Sequence, residues 1–207
     1  STETVTTSTT NTGSFITGSA SQDTVALRSS GSDAHEINLM GGNDEITGAN
    51  NIAADDILEG GAGTDTLNYA GNAADLTGLT TVTGFEVVEV DGAQTVTLDD
   101  ENIDDAGGSI TINETGANAA VTVSAAVSAG KSVILGEASA FTLANVANNR
   151  VTIADEADSD SDGLVSDEST ETVTTSTTNT GSFITGSASQ DTVALRSSGS
   201  DAHEINL

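Results

Sequence analysis

Gly60-Gly61-Ala62-Gly63-Thr64-Asp65-Thr66-Leu67-Asn68 packs three glycines, one acid and one large apolar residue into nine positions. Glycine reaches backbone conformations that other residues avoid, so this run predicts a tight turn whose carbonyl oxygens face a common point. Asp65 adds an anionic oxygen to the turn. Leu67, two residues on, predicts the inward side chain of a short strand.

Outward from this stretch the same unit recurs as a ladder. One apolar anchor per strand falls at Val25, Ile37, Ile46, Leu58, Leu67, Leu79 and Val88, in steps that alternate between twelve and nine. Gly, Asn and Asp fill the gaps, and no long stretch carries the i, i+3, i+4, i+7 period of a helix. One long step and one short step together predict a single turn of a coil containing two strands. Val25, Ile46, Leu67 and Val88 would stack along one sheet, and Ile37, Leu58 and Leu79 along the other. Val5 and Ile16 extend the ladder backwards. Leu98, Ile112, Val123, Leu135, Leu143, Ile153 and Val165 extend it forwards with a looser rhythm.

Ser1–Leu39 and Ser169–Leu207 are identical, letter for letter. Such identity marks tandem repetition. Residues 1–168 read as one complete unit and 169–207 as the start of the next, with both chain ends expected to be cuts through something continuous. Sixteen anchors at two per turn predict eight turns, and eight turns of that two-step length fill the unit. With strands about 4.8 Å apart, one unit would advance roughly 38 Å. The expected fold is all-β: a parallel β-roll over 18–90, continuing as a β-solenoid through 91–157, with an acidic loop at 158–168. The alternative places a separate β-sandwich in 91–157.

The nine residues from Gly60 fit the pattern G-G-x-G-x-D-x-U-x, with U a large apolar residue, at every specified position. In this the chain resembles the RTX family of secreted calcium-binding repeat proteins. The resemblance implies a β-roll with calcium held in the glycine-rich turns, and carboxylate oxygens suit that hard cation. Gly61, Gly63 and Asp65 carry the motif. Leu39–Thr47 keeps Gly42, Asp44 and Ile46, Asn51–Glu59 keeps Asp56 and Leu58, and Asp23 precedes Val25 by the same two residues. Asp23, Asp44 and Asp65 would line one side of the roll, with His35 and Asp56 on the other. Asp158-Ser159-Asp160-Ser161-Asp162-Gly163 resembles the opening of DxDxDG calcium loops, so Asp158, Asp160 and Asp162 join the metal candidates. Position 12 of that loop is Ser169, however, where an EF-hand needs Glu.

Thirty-two acidic residues face 4 basic ones, for a formal net charge of -28. That balance repels nucleic acid and anionic membranes and attracts cations. With no Cys the chain is held by something other than disulfides, and no apolar run is long enough to span a membrane. The HExxH and GxSxG motifs of hydrolases are absent, so no enzyme is expected. His35, repeated at His203, reads as a surface residue. The Thr pairs Thr4/Thr6, Thr81/Thr83 and Thr95/Thr97 do not recur at one offset per turn, which argues against a flat ice- or sugar-binding ladder. The segment VTGFEVVEVDG (82–92) is similar to parts of RTX-type S-layer proteins.

Together these readings predict a structural repeat of a calcium-stabilised bacterial surface filament or S-layer-like assembly. The alternatives are the extender of a giant RTX adhesin and the calcium-folding accessory region of a secreted enzyme. Expected partners are copies of the chain itself and a cell-surface or matrix polysaccharide. The resemblance implies an extracellular location reached through a type I exporter.

Overall fold

A computed structural model describes residues 3–8, 13–28, 34–115, 120–136, 140–144, 149–153, 172–175, 182–186, 191–195 and 203–207. The first strands are β1 (Glu3–Thr6), β2 (Phe15–Thr17), β3 (Asp23–Ala26), β4 (Glu36–Asn38), β5 (Glu45–Thr47), β6 (Ile57–Glu59) and β7 (Thr66–Asn68). Then come β8 (Ala74–Asp75), β9 (Val82–Thr83), β10 (Val87–Val90), β11 (Thr95–Leu98), helix α1 (Asp100–Asp105), β12 (Ser109–Glu114), β13 (Ala120–Ala125) and β14 (Ser132–Leu135). The last are β15 (Ala140–Leu143), β16 (Asn149–Ile153), β17 (Thr172–Thr175), β18 (Ser182–Thr185), β19 (Thr192–Ala194) and β20 (Glu204–Asn206).

All the described strand pairs are parallel, and they wind into a β-solenoid. One face is a 10-stranded sheet, ordered β1-β3-β5-β7-β10-β12-β14-β16-β18-β20, that runs the length of the coil. Its inward residues stand in register as Val5, Val25, Ile46, Leu67, Val88, Ile112, Leu135 and Ile153. These are the expected anchors of that side. From Val25 onward every one is 2% exposed or less, so the column is the dry spine of the molecule. Burying each Leu or Ile contributes about 1.5–3 kcal/mol. The spine passes residue 91 without a break, so no separate sandwich forms.

The second face is made in two sections. A 4-stranded sheet, β2-β4-β6-β9, covers the first turns, and a 6-stranded sheet, β8-β11-β13-β15-β17-β19, covers the rest. They overlap in one turn, β7-β8-β9-β10, which has three sides. Here Val82, not Leu79, stands opposite Leu58, and Leu79 packs against the core from a loop. Helix α1 then takes the place of the next strand on the third side. The N–H of Gly84 donates to the Asp105 carbonyl at 3.0 Å, and Asn102 Nδ2 donates to the Leu76 carbonyl at 3.1 Å. The helix therefore closes the free edge of the 4-stranded sheet, a place where an open strand would invite foreign pairing. Asp99 starts it with a capping box, accepting from the N–H groups of Glu101 and Asn102.

The eight-turn count is corrected by the two copies of the repeat. In the first, β1 and β3 lie in the 10-stranded sheet and β2 and β4 in the 4-stranded one. In the second, β18 and β20 hold the 10-stranded sheet while β17 and β19 lie opposite. Identical sequences thus exchange faces. β1 to β16 makes eight passes of the long sheet, and β17 follows on the other side, so the unit runs half a turn short of eight. Local geometry is nonetheless preserved: Ile16 pairs with Ile37, and Ile184 with Ile205. The Gly18 N–H donates to the Asn38 carbonyl, and the Gly186 N–H to the Asn206 carbonyl, both at 2.7 Å. Only the surroundings differ. Phe15 is 83% exposed, whereas its copy Phe183 lies under the Arg150 guanidinium, 3.7 Å from the ring centre. Val165 lies outside the described residues.

Candidate functional site: a column of buried carboxylates

Each turn of the first half carries an acid two residues before the spine anchor, at or just before the start of its long-sheet strand. Asp23, Asp44 and Asp65 are 5%, 1% and 0% exposed, and successive turns bring them together. The N–H of Asp23 donates to Asp44 Oδ1 at 2.7 Å. The N–H of Asp44 donates to Asp65 Oδ1 at 2.7 Å, and that of Asp65 to Glu86 Oε2 at 2.9 Å. Glu86 thus continues the column. Sequence reading passed over it, although it stands as far beyond Asp65 as Asp65 does beyond Asp44, and two residues before Val88.

One oxygen of each aspartate is buried with no hydrogen-bond partner: Asp23 Oδ1, Asp44 Oδ2 and Asp65 Oδ2. A buried ionised carboxylate is costly unless paired. Burial pushes Asp65 from 3.8 up to about 6, and the charges of Asp44 and Glu86 add to this against the Asp44 N–H bond. Asp44 is raised for the same leading reason, with Asp23 adding its charge.

Glycines shape the space beside these oxygens. A Cβ at Gly60 would lie 2.0 Å from the Gly84 carbonyl oxygen and 2.8 Å from Asp65 Oδ2. At Gly18 it would meet the Leu39 carbonyl oxygen at 2.6 Å and Asp23 Oδ2 at 2.8 Å. Backbone carbonyl and carboxylate oxygens thus crowd both glycines so closely that no Cβ fits; Asp65 Oδ2 is the unpartnered oxygen of its carboxylate, whereas Asp23 Oδ2 accepts the Ser19 N–H at 2.7 Å. Gly42 and Gly63 stack in the same turns with φ of 136° and 148°, and Gly61 with 105°. Met40 stands where Gly61 stands one turn later and keeps the left-handed turn at φ 72°.

The other side of the coil is built differently. Asp56 is fully buried, and both its oxygens take backbone N–H groups, of His35 at 2.7 Å and Ala53 at 2.8 Å. It works as a loop clamp. His35 is 1% exposed, which overturns its expected surface position: its place in the ladder puts it inside. Asp158, Asp160 and Asp162 lie outside the described residues. Among the described residues no three acidic or histidine side chains converge on one centre, because the column spaces its acids one per turn.

The outer surface of the 6-stranded sheet is the second feature. Thr95, Thr122, Thr142 and Thr174 stand in register there, although their spacing along the chain is unequal. Strands β11, β13, β15, β17 and β19 hold no charged residue. The long sheet, by contrast, carries Glu3, Glu45, Glu89, Arg150 and Glu204.

Comparison with protein-family models, with curated proteins and with solved structures gave no match. Among the described residues no helix is long and apolar enough to cross a membrane.

The column sets a pH dependence. A folded-state carboxyl raised above its unfolded value binds a proton that the unfolded chain has already released, so stability falls as pH rises through the folded value. In chelator the melting temperature should therefore rise between about pH 7 and about pH 5, the window set by Asp65. Thermal melts followed by circular dichroism would read this.

Proposed function

We propose that this chain is a structural repeat of a calcium-stabilised, extracellular bacterial surface filament or S-layer-like assembly, of the RTX type. The observation that carries the reading is the row of buried aspartate oxygens without partners at Asp23, Asp44 and Asp65. They need a cation, and a coil of net charge -28 has few of its own. Calcium takes six to eight oxygens. Here it would sit between adjacent turns, drawing on carboxylates of this column and on carbonyls of the glycine turns around Gly18, Gly42, Gly60, Gly61 and Gly63. Asp56, with both oxygens spent on N–H groups, stays outside that set.

Neutralising the column would turn a self-repelling chain into a stacked rod, in which each turn rests on its neighbours. The threonine face, whose strands β11, β13, β15, β17 and β19 hold no charged residue, gives copies of the rod one stretch on which to approach each other with little repulsion. The protein exists for its shape, and catalysis has no place in this reading.

Chelation tests it. The β signal in circular dichroism should melt at a clearly lower temperature when calcium is removed and recover its higher melting temperature when calcium returns. A chain equally folded and equally heat-stable in chelator would sink the calcium reading. Electron microscopy with calcium then separates filaments or sheets, the outcome for an assembly protein, from isolated rods, the outcome for an adhesin extender.

A further inference from the structure

The change of the second face from one sheet to the next leaves a step in the coil. At that step lies a pocket of about 350 Å³, lined among others by Asn50, Ile52, Tyr69, Asn72, Asp75 and Leu79. Its size is at the lower end of small-ligand sites, about 300–1,000 Å³. Tyr69 is 3% exposed, yet its hydroxyl has no hydrogen-bond partner. A buried phenol normally finds one, and leaving it without costs about 1–3 kcal/mol. Asp75 stands close enough for its charge to act on that phenol, adding to the effect of burial. It accepts the Thr77 N–H and hydroxyl through Oδ1 alone, which leaves Oδ2 open.

We propose that this pocket binds a neutral, polyhydroxylated ligand, one sugar ring of a polysaccharide, with a ligand hydroxyl held between Tyr69 and Asp75. The phenol has a proton to donate and the carboxylate can only accept. An alcohol answers both with one atom: its oxygen accepts from Tyr69 and its proton goes to Asp75. An anion is repelled by Asp75 and by the charge of the whole chain. An ammonium group satisfies Asp75 but cannot accept from Tyr69. Ile52 and Leu79, both partly buried, supply apolar contact for the C–H face of a ring, and the Asn50 amide and Asn72 Oδ1, whose Nδ2 already donates to the Tyr69 and Ala70 carbonyls, are left for further hydroxyls. If each tandem unit carries one such pocket, weak single sites would add up along a polymer through effective concentration.

The pocket lies apart from the carboxylate column, so the proposal survives or fails independently of calcium. Amide chemical shifts of the full chain, in calcium and again in chelator, would be followed while glucose, galactose, N-acetylglucosamine or glucuronate is added. The expected result is saturable, millimolar binding of at least one neutral sugar, with shifts at Asn50, Asn72 and Asp75, and none with glucuronate. Tyr69→Phe removes one oxygen and keeps the ring, so it should fold with an unchanged spectrum and bind about 10-fold more weakly. No saturable shift with any neutral sugar, equal binding by Tyr69→Phe, or equal binding of glucuronate would each overturn the proposal and leave the pocket to water.

Discussion

Replacing Asp44 or Asp65 with Asn should make the calcium-free chain more stable and the calcium-loaded chain less so. The asparagine Oδ1 still accepts the backbone N–H that Asp44 Oδ1 and Asp65 Oδ1 accept now. What disappears is a buried negative charge beside two others. For Asp65, whose proton is held up to about 6, removal of the charge should add about 1–3 kcal/mol at neutral pH without metal. With calcium the same change deletes a charged ligand, and most of the stabilisation that calcium gives should go. Urea unfolding of wild type and both variants, in chelator and in excess calcium, gives one four-cornered thermodynamic cycle for each variant. A variant weakened in chelator and still fully stabilised by calcium would show that the column is a hydrogen-bonding device alone.

Gly63→Ala should be the most damaging single methyl among the described glycines. The added Cβ would fall 1.5 Å from the Gly42 carbonyl oxygen and 2.7 Å from its carbon, at φ 148°. Backbone, not a movable side chain, stands in the way, so the two stacked turns must separate. The expected cost is about 4 kcal/mol or more, in the range reserved for a named structural failure. Gly78→Ala is the matched control. Its φ is 77° and nothing lies within 4 Å, leaving only the left-handed strain of about 1–2 kcal/mol. Denaturant midpoints of the two variants measure the difference. Similar costs would mean that strain at φ, and not the contact between turns, governs the glycine positions.

The long sheet was legible because its anchors obey one rule: a single buried apolar residue per turn, at steps set by the coil circumference. Val25, Ile46, Leu67 and Val88 could be read in advance for that reason. Leu79 could not, since the rule assumes two sides, and the three-sided turn inserts Ala74 on a strand of its own and moves the pairing to Val82. Helix α1 is six residues long, too short for a helical period to show. Its capping pair Asp99 and Asn102 was the available signal. Glu86 escaped because the motif specifies Asp at that place and the rung before Val88 carries Glu. The threonine column on the second face was hidden by the unequal turn lengths, which only the pairing register reveals. His35 shows the reverse error, a polar letter taken for a surface one although its rung faces inward.

Consider an antibody raised against Thr24 and its outward neighbours. The chain holds that epitope twice, as β3 and as β19, on opposite flanks of the coil. Bound antibodies would therefore stand out to the left and to the right in turn. Any label, crosslinker or glycan attached to the repeated segment would trace a zigzag instead of a single line.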